Sequence, residues 1–188
     1  LFARIATNHS LSDIHAMGAT AHSALAIVSL PHGATEIMEE QLLQVMTGCT
    51  EALNVHNTAL IGGHTSEAES LSFGLSVNAF ADPEQLLRKT GMQAGDLLIL
   101  SKALGTGTLF AADMRYRARH RWIANALAQM QRPNQMAAHL FLQYGASACT
   151  DITGFGLLGH LGEMILPQGC EVSLQLGALP PLDGALSC

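Results

Sequence analysis

Residues 149–161 read CTDITGFGLLGHL, in which a single acid is surrounded by hydroxyl residues and glycines. That acid, Asp151, is a candidate metal ligand, because Mg²⁺ takes hard oxygen ligands and is usually held by one or two carboxylates together with substrate phosphates. The alternative is that Asp151 caps the apolar helix predicted over Phe155 to Ile165. The local pattern fits both interpretations equally well.

A second acid of the same kind is Asp13, which ends the run Asn8-His9-Ser10-Leu11-Ser12-Asp13. The apolar spacing predicts a helix up to Met17, although several polar residues in it are poor choices for a helix interior. Polar residues in a helix that is otherwise expected to be buried suggest a functional site. Since two aspartates from separate segments suffice for Mg²⁺, we expect Asp13 and Asp151 to face one cleft.

Three glycine-bearing turns are candidates for holding phosphate: Gly62-Gly63-His64-Thr65, Gly105-Thr106-Gly107 and Gly154-Phe155-Gly156. Glycine lets the backbone approach an anion, and the second and third turns precede predicted helices, whose N-termini favour negative charge. Each is equally an ordinary tight turn. Lys102, just before the second turn, is either a cation near phosphate or a simple strand-end lysine. Neither GxxxxGK[ST] nor GxGxxG occurs.

The hydrophobic pattern mixes helices and strands. Helices are predicted over residues 2–17, 35–55 (capped by Thr35), 108–116, 122–130, 133–142 and 155–165, and strands over 23–30, 59–61, 71–81, 96–101, 146–149 and 171–176. We expect Gly63, His64 and Thr65 on an exposed loop beside a dimer interface, or on a plain hairpin connection. Asp82-Pro83 marks a break, which predicts domains over residues 1–84 and 85–188. The fold class is α+β or α/β.

Composition excludes several function classes. The net charge is −6 and the basic residues are few, which argues against nucleic-acid binding. The apolar runs are too short to cross a bilayer, so no membrane partner is expected. Four cysteines without a CxxC pair predict a reduced, cytoplasmic protein. Nine histidines without an HxH or HExxH motif do not favour a histidine-built metal site.

The run at residues 149–161, followed by Glu163-Met164, closely resembles the most characteristic stretch of the selenophosphate synthetases, also called selenide, water dikinases. Three further stretches match that family in the expected order, at residues 8–18, 61–65 and 98–107. The resemblance covers nearly the whole chain. It favours this family over other members of the aminoimidazole ribonucleotide synthetase-like ATP-binding superfamily, whose segments at Asp151 read differently.

The resemblance implies an enzyme that uses ATP, Mg²⁺, selenide and water and releases selenophosphate, AMP and phosphate. It also implies a homodimer. The chain would contain the second part of an N-terminal half-barrel domain, which dimerises and binds ATP, and part of a C-terminal α/β domain that closes over the nucleotide.

Site residues carry over position by position. Asp13 matches an aspartate that binds both Mg²⁺ and ATP, and Asp151 matches a second magnesium ligand. Gly63, His64 and Thr65 match a segment that would touch ATP bound mainly by the partner subunit. Asn8 matches a position that would lie close to the nucleotide.

The chain also departs from the family pattern. Ala103 stands where proline is common, and Thr20-Ala21-His22 replaces a stretch that usually includes proline. The chain opens on Leu1 and has no counterpart of the family's glycine-rich N-terminal segment, with its Cys or selenocysteine, its Lys and two further aspartates. We therefore expect sequence to be missing at both ends, and the 188 residues alone to contain no catalytic residue and to be inactive.

Two alternatives remain open. One is another ATP-dependent enzyme of the same superfamily that acts on a different acceptor. The other is a non-catalytic dimerisation or binding module that has kept the fold.

Overall fold

The computed structural model describes all residues from Leu1 to Cys188, and they form two compact units. The first unit comprises Leu1–Leu86 and the second Leu87–Cys188. No helix in either combines the length and the apolar character that a bilayer crossing requires.

The first unit packs two helices on one face of a three-stranded sheet. Its elements are α1 (Phe2–Ala16), β1 (Thr20–Pro31), α2 (Thr35–Val55), β2 (Ala59–Ala68) and β3 (Ser72–Phe80). The strand order is β2-β1-β3, with β2 parallel and β3 antiparallel to β1. The predicted helices and the first and third predicted strands are therefore confirmed.

The core of this unit lies between the helices and the inner face of β1. Leu11 of α1, Ala24 of β1 and Leu53 of α2 are fully or almost fully buried in one cluster. Burying a leucine side chain stabilises a fold by about 1.5–3 kcal/mol, so these contacts fix both helices on the sheet. The outer face of β1 is apolar as well, since Leu25 and Ile27 point away from the helices and Ile27 is 55% exposed.

Two local predictions in the first unit are wrong. Thr35 does not cap α2, because the helix begins at Thr35 itself and Ala34 occupies the cap position without a side-chain bond. The predicted loop at residues 62–65 is instead the middle of β2, which is paired with β1 and not with β3. The hairpin alternative therefore fails too.

A glycine pair is needed in β2 because the strand carries a bulge at Ile61 and then runs very close to β1. Leu60 pairs with Ala24 and Gly62 with Leu25, which leaves Ile61 as the extra residue. At Gly63, φ is 155° and an added Cβ would lie 1.9 Å from the carbonyl oxygen of Ala26. The glycines thus serve a bulged strand, which bends and twists at this point.

The second unit is built from helices and turns. Its helices are α3 (Thr106–Asp113), α4 (His120–Met130), α5 (Gln135–Gln143) and α6 (Gly156–Ile165), followed by two short 3₁₀ helices at Leu166–Gln168 and Leu176–Ala178. Leu109 and Ala126 are completely buried in a cluster that includes Trp122. The four predicted helices are confirmed, although their ends differ by a few residues.

The three strands predicted in the second unit are wrong. Residues 96–101, 146–149 and 171–176 form no regular strand, and the only bridge in this unit joins Leu104 to Pro181. Leu97 is 87% exposed and Ile99 69% exposed. An apolar run becomes a strand only where a neighbouring strand satisfies its backbone groups, and none of the described residues does so here.

Candidate functional site

Asp151 lies in an irregular segment just before α6 and does not cap that helix. The helix begins at Gly156, and Phe155 takes the cap position without a side-chain bond. Asp151 is half-buried, and its Oδ2 atom is shielded from solvent without a hydrogen-bond partner. A shielded carboxylate oxygen without a partner is unfavourable, and a bound cation would compensate for it. The capping alternative is excluded, and the donor fits Mg²⁺.

A chain of polar side-chain contacts holds this segment against α6. The Oγ1 atom of Thr153 and the Nε2 atom of buried His160 lie 3.0 Å apart. The Nδ1 atom of His160 lies 3.6 Å from Oε2 of Glu163, to which Lys89 donates in turn. The Lys89 hydrogen bond and charge, followed by the charge of His160, hold the pKa of Glu163 below its usual value.

The turn Gly154-Phe155-Gly156 opens α6 as the sequence predicts. Gly156 has a left-handed φ of 67°, and its N–H donates to the carbonyl of Thr153 over 3.1 Å. Phe155 packs its ring on the imidazole of His160, with the ring centres 5.7 Å apart. The same histidine therefore supports both the turn and the hydroxyl of Thr153.

Cys149 lies beside this acid and is half-buried. Burial, and then the nearby charge of Asp151, raise the pKa of the Cys149 thiol. Because the thiolate is the nucleophilic form, Cys149 is a poor nucleophile near neutral pH. Its N–H donates to the carbonyl of Arg88 over 2.9 Å, which anchors the segment at its start.

Helix α1 presents Asn8 and Asp13 on different sides. Asn8 is on the buried face, only 9% exposed, whereas Asp13 is exposed. Five residues at about 100° each place the two side chains roughly 140° apart around the axis. Asp13 lies in the last turn, where an acid is disfavoured by the helix dipole, so a role in stabilising the helix does not explain it.

The predicted nucleotide-contacting residues of β2 border a groove in the first unit. The groove has a volume of about 490 Å³. Apolar side chains from the sheet and α2 line it, among them Val28, Leu42 and Met46, and Gly63, His64 and Thr65 complete its rim. Asp13 and Asn8 are not among its lining residues. An apolar wall beside a few polar groups is typical of small-molecule sites.

Asp13 belongs to the first unit and Asp151 to the second. No group of three or more His, Cys, Asp or Glu side chains forms a metal cluster in the structure. The common cleft for the two aspartates stays a prediction.

The Gly105-Thr106-Gly107 turn has a packing role. Gly105 caps α3 with a φ of 118°, and an added Cβ would lie 2.5 Å from the Cβ of Ala185. Hydrogen bonds of 2.9 and 2.8 Å from Leu104 to Pro180 and from Leu182 to Leu104 fix the turn. The strand-end position predicted for Lys102 does not occur, because residues 96–101 are not a strand.

Sequence reasoning missed His160 and the Lys89–Glu163 pair. A lone histidine in an apolar helix is usually an ordinary interior residue. The spacing in the sequence could have indicated the contact. His160 and Glu163 are three residues apart on one helix face, and Thr153 lies in the loop that precedes this helix.

Comparison with known families identifies the chain. Residues 1–81 match the N-terminal domain of the AIR synthase related proteins, and residues 93–186 match the C-terminal domain. The chain belongs to the AIR synthase related protein family. The predicted mixed α/β fold of this superfamily is thereby confirmed.

Curated relatives of this AIR synthase related protein support the resemblance found in the sequence. A selenide, water dikinase of Trichlorobacter lovleyi is 44% identical over 97% of this chain and 52% of its own length. One of Pelobacter propionicus is 38% identical over 98% of this chain and 53% of its own length. The chain thus spans about half the length of these relatives.

Solved structures show the same fold. Thiamine-monophosphate kinase from Stenotrophomonas maltophilia has a TM-score of 0.81 at 23% identity, covering 95% of this chain and 58% of its own. E. coli HypE, a hydrogenase maturation protein, has a TM-score of 0.78 at 19% identity, covering 98% and 57%. Both likenesses concern the AIR synthase related fold alone.

Proposed function

We propose that this AIR synthase related protein contributes to a selenide, water dikinase, which converts ATP, selenide and water into selenophosphate, AMP and phosphate. The observation that carries the proposal is the likeness to selenide, water dikinases at 44% and 38% identity over nearly the whole chain. The sequence CTDITGFGLLGHL, the most characteristic stretch of that family, lies within the matched region.

Asp151 and Asp13 are proposed to hold Mg²⁺ together with ATP phosphates. The shielded, unpartnered Oδ2 of Asp151 and the exposed position of Asp13 support this assignment. When bound, Mg²⁺ would neutralise charge that develops on the transferred phosphoryl group. Thr153, His160 and Glu163 hold the Asp151 segment in place.

Gly63, His64 and Thr65 are proposed to contact ATP from the groove on β2, and Asn8 to lie close to the nucleotide. The apolar wall of that groove suits a nucleotide base, and its exposed rim leaves His64 and Thr65 able to donate hydrogen bonds. Asn8 is largely enclosed by protein.

A homodimer is proposed in which the outer face of the sheet is covered. Leu25 and Ile27 lie on that face in the central strand, where apolar side chains are normally buried.

The proposed cytoplasmic location rests on the cysteine pattern, and all four thiols are free in the structure.

The test is an anaerobic assay of the protein translated from the complete open reading frame. AMP is followed by chromatography with ATP and Mg²⁺, in the presence and absence of selenide. We expect AMP formation to require selenide, to fall by two orders of magnitude or more in Asp151→Asn as for loss of a preorganised electrostatic group, and to persist in Asp183→Asn. AMP or ADP formed at the same rate without selenide would favour a different acceptor, and no nucleotide turnover at all would favour a binding module.

A further inference from the structure

A groove in the second unit brings two cations together without an acid. It has a volume of about 310 Å³ and lies between the segment at Ile99–Lys102 and the start of α5. Lys102 and Arg132 both line it, and no Asp or Glu does. Neither cation takes part in an ion pair with a carboxylate.

The two side chains are held in place by groups that do not neutralise them. The Nζ atom of Lys102 donates to the backbone carbonyl of Arg132, and Nη1 of Arg132 lies 3.4 Å from the side-chain oxygen of Gln129. Burial, and then the charge of Arg132, lower the pKa of Lys102. Lys102 is half-buried whereas Arg132 is exposed, and the two like charges repel each other. A bound anion would relieve both this repulsion and the loss of solvation at Lys102.

The rest of the wall indicates what else the ligand carries. Met136, Leu140 and Phe141 line the groove from α5, and Pro133 and Ile99 add further apolar surface. The first turn of α5 also borders the groove, and its N–H groups strengthen the preference for negative charge. The volume is close to the lower limit for small-molecule sites, which suits a compact ligand.

We propose that this groove binds a small organic phosphate monoester, with its phosphate on Lys102 and Arg132 and its apolar part on Met136, Leu140 and Phe141. Lysine has three donors and arginine five, so both retain donors for phosphate oxygens after the contacts above. The inference involves only the second unit and does not depend on the proposed dikinase activity.

The test is a chemical-shift titration of the ¹⁵N-labelled protein with phenyl phosphate, inorganic phosphate and phenol as probes. We expect saturable shifts of the amides at residues 99–102 and 132–141 with phenyl phosphate, weaker binding of inorganic phosphate, and weakest binding of phenol. Lys102→Met and Arg132→Met should each weaken phenyl phosphate binding about tenfold or more, as for a lost hydrogen bond between charged groups. Lys102→Arg keeps the charge and should retain most of the affinity.

Arg115→Met is the matched control, because Arg115 is an exposed cation of the same unit outside the groove. Unfolding curves of each variant verify that the fold is intact. The proposal is overturned if phenyl phosphate causes no saturable shifts, or if the two groove variants bind it as well as Arg115→Met does. Equal affinity for phenyl phosphate and inorganic phosphate would overturn the role of the apolar wall.

Discussion

The imidazole of His160 lies with its Nε2 atom 3.0 Å from the hydroxyl oxygen of Thr153, two residues after Asp151. The opposite ring nitrogen, Nδ1, lies 3.6 Å from Oε2 of Glu163 on the same helix. One buried side chain thereby connects α6 to the segment that carries the candidate metal ligand.

Replacing His160 by alanine should weaken Mg²⁺ binding more than it disturbs the fold. Loss of a residue that orients a ligand segment typically costs 10–100-fold in metal affinity, and the lost hydrogen bond about 1–3 kcal/mol of stability. The measurements are the Mg²⁺ concentration for half-maximal activity and the free energy of unfolding. His139→Ala, an exposed histidine on α5, is the control. An unchanged Mg²⁺ requirement in His160→Ala would contradict the positioning role.

Asp151→Asn should remove the stabilisation by Mg²⁺ and leave the metal-free protein at least as stable as before. The reason is that a shielded carboxylate oxygen without a hydrogen bond is unfavourable until a cation binds. Thermal unfolding with and without Mg²⁺ measures both effects. Asp183→Asn, at an exposed aspartate 3.8 Å from Arg121, should respond to Mg²⁺ like the parent protein. A metal-free Asp151→Asn protein that melts far below the parent would point to a purely structural carboxylate.

Gly63→Ala should destabilise the first unit strongly, by about 3 kcal/mol or more, as expected for backbone strain combined with a steric clash. Its Cβ would lie 1.9 Å from the carbonyl oxygen of Ala26. Gly74→Ala in β3 of the same sheet is the control, because nothing lies within 4 Å of an added Cβ there. Urea unfolding curves of the two variants provide the comparison. Similar midpoints for both would show that β2 does not approach β1 as described.

The Lys89–Glu163 pair should contribute a pH-dependent stability. The pKa of Glu163 is lowered in the folded state, so its contribution is present above the unfolded carboxyl pKa of about 4.3 and is lost as the pH falls through the lower folded value. Melting temperatures of the parent and of Glu163→Gln should therefore differ at pH 7 and converge once the pH has fallen below the folded-state pKa. Because the pair is exposed, the difference will be small and will decrease with added salt. A difference in melting temperature that stays constant over the whole pH range would contradict this pH-dependent contribution.

Periodicity predicted the helices well because their apolar faces are buried. In α2, for example, Val45, Cys49, Ala52 and Leu53 lie on the buried face, and the sequence shows that spacing directly. The same reasoning failed at Gly62-Gly63, since a glycine pair is needed equally by a loop and by a bulged strand in close contact with its neighbour. Only the pairing partner distinguishes the two.

The strand prediction for residues 96–101 was wrong for a related reason. An apolar run does not specify whether a neighbouring strand exists to pair with it. At the candidate site, the sequence identified Asp151 but could not exclude the helix-cap alternative. Its exclusion depended on the position at which α6 begins, five residues later, and helix ends are the least certain part of a sequence prediction. The support from His160 depends on contacts that no local pattern encodes.

The bulge at Ile61 has one more consequence, which concerns association between misfolded chains. β2 is an edge strand of the sheet, and a regular edge offers its free backbone groups as a template for another strand, the first step of fibril growth. The extra residue and the two glycines break the repeat of that edge near its start, and Glu67 places a charge near its end. The irregularity thus protects this edge of the sheet against the addition of further strands.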